Sequence, residues 1–466
     1  MGKIDNGVKK TVVINVVGLT EGLLGEYTPF LSSYLTKASK ANINPVVPAV
    51  TCTAQSTYLT GVLPTDHGIV GNGWYFKEEC EVKFWRQSNK LVEAPKIWEV
   101  LKKESPEFSC ANLFWWYNMY SSVDFSVTPR PNYLADGRKI PDCYSHPATL
   151  RDFLQDKLGT FPLFNFWGPK TSIASSRWIA DAAILTDRQY DPTLSLVYLP
   201  HLDYNIQRYG NNFSIIQKDL REIDAEVEKL VTYFEEKNAN VILLSEYGIT
   251  NVNHPVHLNR VLRDNGLLSV RIERGLELLD AGASKAFAVA DHQIAHVYLN
   301  DKSVKESVYQ LLQETKGVEK VLSGDQLKTF GLDHERSGDF VVIVDTDSWF
   351  TYYFWNDDIK APDYARMVDI HKKPGYDPVE LFMNPKDKFI VPKVIWKLLK
   401  KKMGFRTLLD VIPLEAELIK GSHGRIPEGV ADWPILISNR PELLKKNTVE
   451  ATEVYSILYN HITHKS

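Results

Sequence analysis

Cysteine is scarce in this chain. Four residues in 466, Cys52, Cys80, Cys110 and Cys143, lie far apart with no CxxC pair. That spacing excludes a compact disulfide framework and fits reduced thiols in a cytoplasmic protein. Long apolar runs are missing as well. The N-terminal "MGKIDNGVKKTVVINVVG" carries charges but no apolar core of a signal peptide. No run of about 18 apolar residues follows, so neither a spanning segment nor a membrane partner is expected. Charge of one sign is not in excess: 54 basic and 58 acidic residues leave a formal net charge of -4. A surface so balanced gives no reason to expect a nucleic-acid polymer as partner. Internal repeats and low-complexity tracts are absent.

What is present is an ordinary globular mixture, 44% apolar and 24% charged. The length suits one large α/β domain with an insertion, or two to three ordinary domains. "TVVINVV" (11–17) is a β-branched run without alternation, as in a strand buried on both faces. "FLSSYLTKASKA" (30–41) follows with helical spacing. "LSLVYL" (194–199), a helix over 215–237 and "NVILLS" (240–245) repeat the pattern. Ile223, Val227, Leu230, Val231 and Phe234 share one face of that helix. Strand, helix and strand at this spacing predict a right-handed crossover in a parallel sheet. Ligands then bind beyond the carboxyl ends of the strands. The stretch 264–404 reads as a smaller α+β insertion, with short strands around "VKESVYQLLQET". The core is expected over 1–263 and 405–466. The lysines of "KLLKKKMG" (397–404) read as a solvated helix face.

"PAVTCTAQSTYLTG" (48–61) holds six side chains that could act as nucleophiles. Residues 53–60 have helix-compatible spacing, which places Thr51 where the chain turns into a helix. A hydroxyl there faces unpaired backbone N–H groups and the positive end of the helix dipole, a good place for phosphate. Position alone leaves two readings open, a nucleophile and a plain helix cap.

The longer stretch "PAVTCTAQSTYLTGVLPTDHGIVGNGW" resembles the nucleophile segment of the alkaline phosphatase superfamily, in its type I phosphodiesterase/nucleotide pyrophosphatase branch. Pro48, Thr51, Thr60-Gly61 and His67-Gly68-Ile69 fall in that family's order without a gap. Further matching pieces run over 194–250 and 421–424. The resemblance implies an α/β fold with an alkaline-phosphatase-like, mostly parallel sheet flanked by helices, and Thr51 as nucleophile. It also implies two divalent metal ions, usually zinc, with manganese or magnesium as alternatives, which activate the nucleophile and stabilise phosphoryl oxygens.

The family's metal ligands carry over incompletely. Asp203 and His423 match, and Glu246 replaces an aspartate. Val17, Gln207 and Tyr247 stand where an aspartate and two histidines are expected, and Ala54 replaces a phosphate-holding asparagine. Asp291 and His292 in "ADHQIAHVYLN" are the best substitutes. His201, His296, Asp369, His371 and Asp377 are weaker ones, each equally readable as a satisfied buried side chain. Asn72, Arg86 and Gln207 are candidates for substrate binding, with Trp74 for stacking. The leading expectation is metal-dependent hydrolysis of a phosphodiester, pyrophosphate or related small phosphoryl substrate through a covalent Thr51 intermediate. A phosphotransferase or mutase, and a non-catalytic phosphoryl-ligand-binding member of the superfamily, are the alternatives.

Overall fold

The computed structural model describes residues 8–135, 138–405 and 407–463. Three buried strands form its centre: β1 (Thr11–Val16), β2 (Leu194–Leu199) and β3 (Asn240–Leu244). β1 pairs in parallel with both of the others, so Asn15 lies level with Tyr198 and with Leu244. Every residue of the three is buried, which explains their unbroken apolar runs.

Six further strands complete a sheet of nine. From edge to edge the order is Thr448–Glu450, Ser39–Asn44, Ile435–Ser438, β3, β1, β2, Cys110–Leu113, Phe125–Pro129 and Cys143–His146. Most neighbours are parallel. Ile435–Ser438 runs antiparallel to both its neighbours, and Cys143–His146 to its one. The three strands between 110 and 146 lack long β-branched runs, so the sequence does not announce them.

The helices that matter for the site are α1 (Thr51–Thr60), α2 (His201–Tyr209) and α3 (Phe213–Glu236). Ile223, Val227, Leu230, Val231 and Phe234 of α3 are all buried in the main core, as the 3.6-residue period predicts. The expected helix over 30–41 is corrected. Pro29–Tyr34 is helical, and Ser39–Asn44 is a strand between Ile435–Ser438 and Thr448–Glu450. Ala41 and Ile43 are buried while Asn42 and Asn44 are not, an alternation of period two.

A separate four-stranded antiparallel sheet contains β4 (Ala286–Asp291) and β5 (Ile294–Leu299), with Phe340–Val344 and Val318–Leu322 beyond β5. The two-residue turn from β4 to β5 holds His292 at φ +62°. The Gln293 N–H donates to the carbonyl of His423 at 2.9 Å, tying this turn to the glycine-rich segment 421–424.

Close backbone approach fixes the loop after β3. A Cβ at Gly248 would lie 1.8 Å from the carbonyl oxygen of Asp432. Gly248→Ala is expected to destabilise the protein by about 2 kcal/mol or more through overpacking. Urea denaturation checks this as a lower midpoint at unchanged slope, and an unaltered midpoint would contradict it.

Candidate functional site

Thr51 is the first residue of α1, and Val50 holds the cap position in extended backbone. Thr51 is therefore not the cap, which closes one of the two readings left open by position. Its side chain points inward, 3% exposed. The Thr51 hydroxyl lies 3.3 Å from the hydroxyl of Tyr247. Tyr198 and Glu246 lie near it, and the hydroxyl favours the ionised form of each. These neighbours come from the carboxyl ends of β2 and β3, where a parallel sheet gathers its functional groups.

Three buried carboxyl groups belong to the same cluster, and each meets neutral donors. Asp203 accepts from the Gln207 amide at 2.8 Å and from the Tyr247 hydroxyl at 3.2 Å. Gln207 in turn accepts from the Tyr376 hydroxyl at 3.0 Å. Glu246 accepts from Asn15 at 2.5 Å and from Gln55 on the same oxygen, and Gln55 accepts from the Trp116 N–H. Asp291 accepts from the backbone and side-chain N–H groups of Asn72 at 2.7 and 3.0 Å. The other end of Asn72 accepts from the Cys52 N–H at 3.0 Å, which anchors the first turn of α1 to β4.

Burial raises all three acids. Asp203 is pushed up to about 6, Asp291 to about 7 and Glu246 to about 8, in each case against the hydrogen bonds just named. The imidazoles move the other way. Burial lowers His423 to about 3, and burial with the neighbouring His423 holds His292 well below its usual value.

Four rings form a continuous column beside the acids. Tyr247 stacks on His423 at 3.5 Å, His423 meets His292 at 3.6 Å, and His292 stacks on Tyr376 at 3.7 Å between centroids. His423 Nδ1 donates to the carbonyl of Ala49 at 2.8 Å. A carbonyl can only accept, so the neutral ring keeps its lone pair on Nε2. Neither His423 Nε2 nor His292 Nδ1 has a protein partner.

The model of the type I phosphodiesterase/nucleotide pyrophosphatase family matches residues 11–377. The chain belongs to this family. Solved structures agree on the fold. Human ectonucleotide pyrophosphatase/phosphodiesterase 5 is 14% identical, with a TM-score of 0.57 over 97% of this chain and 94% of that one. The murine protein of the same name, solved as an inactive variant with AMP, is 15% identical at a TM-score of 0.57, over 97% and 94%. Phosphonoacetate hydrolase from Sinorhizobium meliloti, solved with phosphonoformate, is 13% identical at a TM-score of 0.59, over 98% and 96%. No curated protein matches by sequence. The family hydrolyses phosphoryl substrates and depends in general on divalent metal ions.

This member's donor set does not fit a pair of ions. Val17 offers no ligand atom, Gln207 joins Asp203 to Tyr376, and the Tyr247 hydroxyl lies between Asp203 and Thr51. Both oxygens of Asp203 and both of Asp291 are taken by protein donors. Among the described residues, one group of three His, Cys, Asp or Glu side chains has its ligand atoms within 4.8 Å of one another. It is His201, Asp219 and Glu222, and it contains none of the expected five. Amide and phenol hydrogen bonds compensate Asp203, Glu246 and Asp291 in this protein.

The structure thus brings together Thr51, Asp203, Gln207, Glu246, Asp291, His292, His423 and Asn72. Asn72 and Gln207 bridge protein groups with both ends of their amides. Arg86 is exposed and faces His371, apart from the buried cluster. His296 is a satisfied core imidazole, between the Val70 carbonyl at 2.9 Å and the Gly338 N–H at 3.1 Å. Asp377 pairs with the buried Lys373 at 2.6 Å. Sequence reasoning passed over Tyr376 and Gln55. Both supply uncharged polar atoms, and only the "KKPGYDP" loop drew attention to the first.

The raised acids have a measurable consequence. Unfolded, Glu246 releases its proton near 4.5, whereas folded it holds it to about 8. The unfolded state then binds fewer protons, so stability falls as pH rises through this range. The lowered imidazoles act oppositely, but only below their ordinary value of 6.5. Between pH 6.5 and 8, stability is expected to drop by about 2 kcal/mol through Glu246. Glu246→Gln should flatten that fall. Thermal unfolding across the interval checks it, and a wild-type Tm that holds or rises would contradict it.

Proposed function

We propose that this protein hydrolyses a small phosphodiester, pyrophosphate or related phosphoryl substrate through a covalent intermediate on Thr51, with Glu246 as general base. The observation that carries this reading is the setting of the Thr51 hydroxyl. It stands at the positive end of α1, against Tyr247, and bears on a carboxyl group held near 8.

In the first half-reaction the Thr51 oxygen bonds to phosphorus and its proton passes to Glu246. The leaving oxygen departs from phosphorus with its half of the substrate. In the second half-reaction water adds to phosphorus and gives up one proton, through solvent, to the oxyanion that left; the Thr51–phosphorus bond breaks, and the Thr51 oxygen takes back the proton held by Glu246. Asn15 and Gln55 orient the base, and Asn72 holds the first turn of α1 in place. Tyr247 keeps the Thr51 hydroxyl directed, with Asp203 behind it. The ring column reaches this hydroxyl through Tyr247, whose own hydroxyl lies 3.3 Å from it.

A base that works ionised makes the rate rise with pH toward its own value. Hydrolysis of a nitrophenyl phosphodiester is expected to climb to a plateau above pH about 8. Glu246→Gln should remove that limb and lower kcat by about 10²- to 10⁴-fold. Thr51→Ala should abolish turnover while leaving the Tm near wild type. Turnover by Thr51→Ala at the wild-type rate would remove the reading.

The saturation of Asp203 by Gln207 and Tyr247 supports a second reading, a member that holds a phosphoryl ligand without cleaving it. Calorimetric binding of AMP by wild-type protein that turns over none of the diesters tested would favour it.

A further inference from the structure

The helix α4 (Ile390–Lys402) lies on the surface, and none of its described side chains is buried. At about 100° per residue, Lys393, Lys397 and Lys400 fall on one narrow face. Val391, Ile395, Trp396, Leu398 and Leu399 occupy the remainder, each between 42% and 55% exposed. Phe389 before the helix and Met403 and Phe405 after it are 60% exposed or more. Phe405 and Leu408 come back beside Trp396 and Met403, lining a groove of about 590 Å³ and extending the apolar surface. Lys393 is exposed, while Lys397 and Lys400 of the expected solvated face are half-buried, and the side chains of 401 and 402 lie outside the described ones. The broad apolar face opposite does not fit that expectation, because water is a poor solvent for so many large side chains in one patch.

Charge identifies what covers this face. From 388 to 409 the sequence holds six lysines and one arginine and no acidic residue. Asp387 and Asp410 stand at the two ends and pair with Lys393 and Lys397. A folded partner of ordinary composition would meet the apolar face alone. An anionic lipid surface meets both faces at once. The apolar side chains enter the acyl boundary, and the lysines extend along it to the phosphate level. Trp396 sits at the border of the two faces, with Lys400 Nζ 5.3 Å from its ring centroid, where an indole is best accommodated at a membrane interface. The helix has 13 residues and no helix among the described residues is long and apolar enough to cross a bilayer.

We infer that α4 is an interfacial helix that docks this protein on anionic phospholipid membranes, lying in the plane of the surface. This replaces the expectation that no membrane is engaged.

The test uses the full-length protein and sedimentation with vesicles. One set is phosphatidylcholine alone and the other contains about 30% phosphatidylglycerol. Wild-type protein is expected to bind the anionic vesicles at least about tenfold more tightly and to lose part of that binding in high salt. Ile395→Glu with Leu399→Glu places charge on the apolar face and should abolish binding. These positions are exposed, so near-UV circular dichroism and Tm should match wild type. Lys393→Glu with Lys400→Glu should remove the preference for anionic lipid. Wild-type protein that stays in the supernatant with both vesicle types overturns the inference. So does binding that survives the Ile395/Leu399 double substitution. Lipid-independent dimerisation that this substitution abolishes, without vesicle binding, would instead assign the face to a second copy of the chain and overturn it equally.

Discussion

Desolvation of three carboxyl groups in one cluster is the constraint on which this site is built. Asp203, Glu246 and Asp291 lie in the interior, and no lysine or arginine contributes to holding any of them. A buried carboxylate without compensation is costly. The protein answers with neutral donors from Gln207, Tyr247, Asn15, Gln55 and Asn72. Neutral donors compensate less than cations do, so the acids rise toward neutrality instead of ionising fully. Nearby, Lys373 shows the other solution, with Asp377 at 2.6 Å and Glu380 at 2.7 Å. The same chain thus buries acids in two ways, and all three acids near Thr51 are held in the uncharged way.

That arrangement draws on separate parts of the chain. Asn15, Asp203 and Glu246 follow from the carboxyl ends of β1, β2 and β3. Asp291 and His292 come from the turn of a different sheet, Tyr376 from a loop, and His423 from the glycine-rich segment. The ring column from Tyr247 to Tyr376 joins these contributions face to face. Its length depends on Tyr247 being aromatic. A smaller residue there would leave His423 without a stacking partner on that side and Asp203 without one of its donors.

Much of this was legible in the sequence, and the failures have physical causes. Unbroken β-branched runs located β1, β2 and β3, because strands buried on both faces need nothing else. Thr51 was singled out by the resemblance of the segment Pro48 to Ile69 to a family motif, since position alone left the cap reading open. Asp203, Glu246 and His423 were singled out by the family resemblance, and Asp291 and His292 as a pair of metal-ligand types; all five are buried in one cluster. Gln55 and Tyr376 were hidden, because amides and phenols are common and acquire meaning only from the group they face. The strand Ser39–Asn44 was misread because two buried positions among polar ones satisfy either period. In α4 the lysines were visible, whereas the exposure of the opposite face is a tertiary fact. A segment so rich in leucine, isoleucine and tryptophan would ordinarily be assigned to a core.

The proposed reaction places two opposed demands on the same acids. A phosphoryl anion beside three ionised carboxylates would be repelled, while a protonated carboxyl group can donate a hydrogen bond to a phosphoryl oxygen. Activation of Thr51, in contrast, requires Glu246 to lose its proton. With cations present a site escapes this conflict, because the metal supplies the positive charge in every protonation state. With amides and phenols in their place, the conflict is met by spreading the three acids from about 6 to about 8. Glu246 is then the last to ionise and the strongest base of the three. Asp203, the first to ionise, is the one shielded from Thr51 by the intervening hydroxyl of Tyr247. Such a site suits substrates of low charge, a diester before a monoester, since each further negative charge on phosphorus has only neutral groups to receive it.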